Sequence, residues 1–199
     1  MINNSFNLLG ISLAPAIAVT VLVISAGHIS GTHLNPAVSF AFLIAKKSSG
    51  RDFLAYTFAQ FLGAGLASLA LRKIYTEEVA STFRNGITSL ASGTSYFSGF
   101  AIEATLTFLL VFVIFTVTQK ENSNILLAPI AIGSTIAINI MTMGTTTGAS
   151  FNPVRWFGPA LAGGYWENAS LYLLAPFVGA GVAVLFFSYL SSGTGRSPE

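Results

Sequence analysis

Apolar residues run along this chain in stretches near 20 residues, at about 7–26, 53–74, 97–119, 125–145 and 168–190, giving five full crossings. Each is long enough to traverse a bilayer core of ~30 Å as a helix. Two further apolar pieces, about 35–46 and 152–162, hold only ten to twelve residues. At a rise of about 1.5 Å per residue they reach roughly halfway through that core. Non-helical backbone at such depth survives only against protein or a cavity, because lipid offers nothing to its N–H and C=O groups. Two half-helices therefore imply an enclosed pathway. The polar segments between spans, 75–96 with Glu77, Glu78, Arg84, Asn85 and Gly86, the turn 119–124 and the tail 191–199, read as solvent loops.

The two short pieces belong to a repeat. Gly27-His28-Ile29-Ser30-Gly31-Thr32-His33-Leu34-Asn35-Pro36-Ala37 aligns without gaps on Gly144-Thr145-Thr146-Thr147-Gly148-Ala149-Ser150-Phe151-Asn152-Pro153-Val154. Glycines, hydroxyl and Asn-Pro coincide. Downstream, Ala59-Gln60-Phe61-Leu62-Gly63-Ala64-Gly65 matches Ala175-Pro176-Phe177-Val178-Gly179-Ala180-Gly181. An odd number of spans separates the two Asn-Pro pairs, so the second copy enters from the opposite face and the repeat is inverted. The whole chain reads as one membrane domain, 1–199, with a first repeat over about 1–74, a second over about 97–190 and a tail 191–199.

Composition agrees with the pattern: 53% of the 199 residues are hydrophobic and 8% charged, where a soluble domain has about a quarter charged. A net charge of +2 with no basic run longer than Lys46-Lys47 or Arg72-Lys73 argues against nucleic-acid binding. With no cysteine, neither disulfides nor thiolate metal sites are available. The start, Met1-Ile2-Asn3-Asn4-Ser5, lacks the basic residues of a cleaved signal peptide. Lys46, Lys47, Arg51, Lys120 and Arg196 fall on one side and Arg72, Lys73 and Arg84 on the other, which makes the first side cytoplasmic.

At each Asn-Pro, Pro suits the first helical turn and Asn the cap before it, so each pair starts a half-helix. The two N-termini meet near the midplane, each carrying roughly half a positive charge, and repel cations, hydronium included. Asn35 and Asn152 offer side-chain N–H donors to a passing oxygen. Thr32, His33 and Leu34, with Ala149, Ser150 and Phe151, present carbonyls that replace the partners a water loses. Arg155, a cation at membrane depth, is assigned to the pathway as a narrow selectivity point. Glu103 lies inside a span, where its carboxylate is expected to accept hydrogen bonds from a re-entrant loop or Arg. His28 and His33 have no third ligand nearby, so they are read as hydrogen-bonding supports and no metal or other cofactor is expected. No nucleophile or acid–base pair appears, so no enzymatic activity is expected.

The paired motifs Gly-His-Ile-Ser-Gly-Thr-His-Leu-Asn-Pro-Ala and Thr-Gly-Ala-Ser-Phe-Asn-Pro-Val-Arg resemble the aquaporin, or major intrinsic protein, family across almost the whole chain. The resemblance implies an all-α membrane bundle of six spans and two re-entrant half-helices, assembled as a homotetramer in the plasma membrane with a pore in each subunit. Five spans are visible, and the missing element corresponds to the family's first helix, whose buried Glu mirrors Glu103. The Asn-Pro-Ala boxes match Asn35-Pro36-Ala37 and Asn152-Pro153-Val154. The family's constriction maps onto Arg155, Ala149, Ile140 and Pro15. Water-selective members usually place His where Ile140 stands, so the filter is expected to be wider and less polar. Trp156 stands where glycerol-conducting members carry Asp, Ala160 looks like water channels, and Tyr172-Leu173 is mixed, which leaves the solute class open. The function expected is passive passage of water and small uncharged solutes. The alternatives are an ion- or proton-coupled carrier and a non-conducting structural protein.

Overall fold

Twenty apolar residues in a row fold as a helix in lipid because only a helix satisfies its own backbone there. The computed structural model describes residues 7–82, 84–118 and 127–193. The turn 119–124, Lys120, Arg196 and the tail from 194 onward lie outside them. Among the described residues the order is α1 (Leu8–Ser30), α2 (Pro36–Ile44), α3 (Gly50–Ile74), α4 (Glu77–Thr82), a 3-10 turn (Arg84–Gly86), α5 (Tyr96–Thr118), α6 (Leu127–Thr147), α7 (Pro153–Gly163) and α8 (Ala169–Gly193). Five of these, α1, α3, α5, α6 and α8, are long and apolar enough to span. The half-helices α2 and α7 have 9 and 11 residues.

Local signals set the ends. Asn7 caps α1 by accepting from the Gly10 N–H at 3.1 Å. Ser49 and Asp52 form a capping box at the start of α3. The segment 75–96 departs from the expected solvent loop. It holds α4 and the 3-10 turn, and Ala80 and Thr88 are buried, because its apolar members pack down onto the bundle end.

Three helix pairs dominate the packing, α1 with α6, α5 with α8 and α3 with α7, and each crosses at a glycine. A Cβ added to Gly133 would lie 2.0 Å from Thr20 Oγ1, one on Gly179 would lie 2.0 Å from the Ala104 carbonyl oxygen, and one on Gly158 would lie 2.5 Å from Ser68 Oγ. In a bilayer, where apolar burial between helices contributes little, such close backbone approach supplies the association energy. Gly179→Val is therefore expected to destabilise the protein by about 1–3 kcal/mol or more, read as a lower thermal midpoint in detergent. An unchanged midpoint would contradict this crossing.

The two halves are not equally covered. In the spanning windows of α5, α6 and α8, 39–44% of residues are buried, against 11% in α1 and 6% in α3. Along α3 runs a groove of about 580 Å³ lined by residues such as Tyr56, Gln60, Gly63 and Ala64. Gly63, the repeat partner of Gly179, has nothing within 4 Å of an added Cβ.

A candidate pore between two half-helices

Each re-entrant loop leaves its long helix through a glycine in the left-handed region, Gly31 at φ 68° and Gly148 at φ 79°. Two non-glycine residues in each loop share that region, Thr32 (45°) and Leu34 (52°) in the first, Ala149 (46°) and Phe151 (38°) in the second. Such conformations cost about 1–2 kcal/mol each for residues with a Cβ, so the surroundings have to hold them. The chain then turns extended at Asn35 (φ −152°) and Asn152 (φ −157°), and Pro36 and Pro153 begin the half-helices.

The asparagines are oriented by paired bonds. Asn35 Oδ1 accepts from the Ala37 N–H at 2.9 Å, and Asn152 Oδ1 accepts from the Val154 N–H at 3.1 Å. Across the junction, Asn35 Nδ2 donates to the Phe151 carbonyl at 2.9 Å and Asn152 Nδ2 donates to the Leu34 carbonyl at 3.0 Å. Each NH₂ group carries two protons, so one is engaged in the cross-bond and the second remains for a passing oxygen. The carbonyls of Leu34 and Phe151 are already partly engaged in this clasp.

Glu103 is fully buried and holds the second loop. Its Oε1 accepts from Thr147 Oγ1 at 2.7 Å and from the Ser150 N–H at 3.0 Å, and its Oε2 accepts from the Phe151 N–H at 2.6 Å. The Tyr172 hydroxyl adds a bond to the Thr147 carbonyl at 2.7 Å.

Beside the two asparagines runs a cavity of about 270 Å³. One wall is aliphatic, formed by residues including Val19, Val23, Ile114, Ile132, Ile136 and Ile140. The lining also takes in both re-entrant loops, with the polar residues Thr32, His33, Asn35, Asn152 and Arg155 beside Leu34 and Phe151. Arg155 Nη1 is buried with no hydrogen-bond partner among the described residues, which leaves a donor for a solute oxygen. Pro15, on α1, lines the same cavity as Ile140 and Arg155.

Not every expected site residue lies there. Ala149 and Ser150 are fully buried and outside the cavity lining, while Phe151, held by Glu103 through its N–H, lines it. His28 is exposed in the last turn of α1 and has no hydrogen bond among the described residues; helical phase turns it away from the loop it was expected to support. His33 does bond, its Nδ1 lying 3.1 Å from Ser39 Oγ, with its ring stacked on Phe42. Pro36, Ala37, Pro153 and Val154 are buried and shape the two caps. The cross-bonds between asparagine amides and opposite carbonyls were not read from the sequence. The matched Gly31 and Gly148 were the available signal that both loops share one backbone path.

Comparison with known proteins gives one result throughout. The profile described as Major intrinsic protein matches residues 1–187. A protein of Arabidopsis thaliana named "Probable aquaporin TIP3-2" is 39% identical over 190 residues, covering 94% of this chain and 69% of that protein. Nodulin-26 of Glycine max is 40% identical over 183 residues, covering 89% of this chain and 65% of that one. The chain thus spans about two thirds of the length of these relatives. Among solved structures, the aquaglyceroporin from Plasmodium falciparum superposes with a TM-score of 0.83 at 26% identity, covering 96% of this chain and 85% of that one.

Proposed function

Since the chain belongs to the major intrinsic protein family, we propose that the cavity between its half-helices is a passive pore for water and small uncharged solutes. The observation that carries this reading is the reciprocal clasp of Asn35 and Asn152 at the junction of two helix N-termini, beside an aliphatic wall. Each N-terminus contributes roughly half a positive charge, and Arg155 adds a full one. A cation there loses its hydration in a low-dielectric passage against like charge. A neutral molecule with oxygens is met by the spare amide protons and Arg155, while its carbon face meets isoleucine and valine.

Glu103 does not suit proton transport, because both of its oxygens are taken up by three donors. That favours a channel over a coupled carrier. Pro15 and Ile140 opposite Arg155 make a filter with a single strong polar group, so small polyols and urea pass along with water. The subunit works as one domain, assembles as a homotetramer and resides in the plasma membrane.

Proteoliposomes test the solute range. Vesicles containing the chain are expected to swell faster than empty ones in water, glycerol and urea gradients. Ile140→His, which narrows the filter and adds a second polar contact, is expected to slow glycerol by roughly tenfold relative to water. Unchanged relative rates would remove Ile140 from the filter.

A further inference from the structure

The connection between α4 and α5 reaches further into the bundle than a solvent loop would. Its Arg84 donates to Glu167 at 2.7 Å and lies 4.7 Å above the centroid of the Tyr165 ring. Leu90 packs on Gly99 of α5, where an added Cβ would come 2.5 Å from Leu90 Cδ2. The Ala91 N–H donates to the Thr146 carbonyl at 2.9 Å. Between these anchors Thr88, 3% exposed, presses on the loop that leads to Asn152. A Cβ on Gly148 would lie 2.6 Å from Thr88 Cβ and 2.7 Å from its Cα.

The loop is thus held by Glu103 and Tyr172 and by this strap, and neither Glu103 nor Thr88 lines the cavity. Among the described residues, no such strap meets the first re-entrant loop. Gly31, the counterpart of Gly148, meets only the ring of His33 from its own loop, at 3.3 Å. A segment that keeps Ala149 and Phe151 in left-handed conformations needs surroundings that over-determine it, and Thr88 is the part of them that meets Gly148.

We propose that Thr88 is a specificity-determining positioning residue, whose side chain wedges Gly148 toward the lumen and so sets the aperture between Arg155, Ile140 and Pro15. This rests on the pore reading above. If the wedge is removed, the void lies on the strap side. Surroundings relax toward a void, so the loop backs away from the lumen and the aperture widens.

The test uses the full chain in proteoliposomes, with water and glycerol permeabilities measured on the same preparation. Thr88→Gly is expected to raise the glycerol-to-water ratio by roughly tenfold, the order by which a methylene-sized change in an apolar site alters discrimination. Thr88→Val, of the same shape without the hydroxyl, should keep the native ratio. A merely structural role would lower the number of working channels and scale both permeabilities together. An unchanged ratio in Thr88→Gly therefore overturns the proposal, as does an equal shift in Thr88→Val. If Thr88→Gly fails to insert, Thr88→Ala should shift the ratio in the same direction, and no shift there overturns it equally. Native vesicles no faster than empty ones for either solute would overturn the pore reading itself and the proposal with it, an outcome distinct from a conducting protein with an insensitive ratio.

Discussion

Replacing Glu103 by Leu is expected to abolish conduction and to cost about 3–5 kcal/mol of stability. The carboxylate accepts from Thr147 Oγ1 and from the N–H groups of Ser150 and Phe151, and the site is fully buried. Each donor left unsatisfied costs about 1–3 kcal/mol. The loss does not stay local, because Phe151 supplies the carbonyl that orients Asn35. Once the Phe151 N–H is free to turn, the cross-junction bond goes with it. Glu103→Gln should fall between native and Leu: one oxygen remains an acceptor, while the new NH₂ group faces donors. Thermal unfolding in detergent and vesicle water flux both read the effect. A Glu103→Leu protein with native midpoint and native flux would mean that the loop holds itself.

Asn152→Asp should produce the largest change in selectivity. The amide proton now donated to the Leu34 carbonyl at 3.0 Å would be replaced by a carboxylate oxygen facing an oxygen. The junction would also gain a full negative charge where two helix ends supply roughly half a positive charge each. At 4 Å and an effective dielectric of about 20, a unit charge is worth about 4 kcal/mol to a passing cation, which is about three orders of magnitude in rate. The variant is expected to admit protons or alkali cations into vesicles loaded with a pH-sensitive dye, whereas the native chain keeps them out. A tight Asn152→Asp protein would place the charge barrier elsewhere, with Arg155 the first candidate.

The spans and both half-helices were legible because apolar length and the Asn-Pro cap are local signals. The expected half-helices at about 35–46 and 152–162 fall within two residues of Pro36–Ile44 and Pro153–Gly163. Glu103 was legible for the same reason, as a lone acid in an apolar stretch needs partners. What stayed hidden depends on atoms far apart in sequence. The bond between Asn35 and Phe151 joins residues 116 positions apart, and no local pattern encodes it. Ala149 is expected in the filter from its place in the motif, and the structure buries it just behind the residues that line the cavity. The segment 75–96 looked like solvent loop from its Glu, Arg and Asn residues. Its packing rests on Thr88 and Leu90 meeting glycines on other elements, which composition does not show.

In the proposed channel one passage conducts neutral molecules and excludes charge at the paired asparagines. Simultaneous measurement of osmotic water flux and proton flux across the same proteoliposomes tests it most directly. Shrinkage well above that of empty vesicles, with no added proton leak, is expected. Shrinkage equal to empty vesicles, or a proton leak that rises with the water flux, would contradict it.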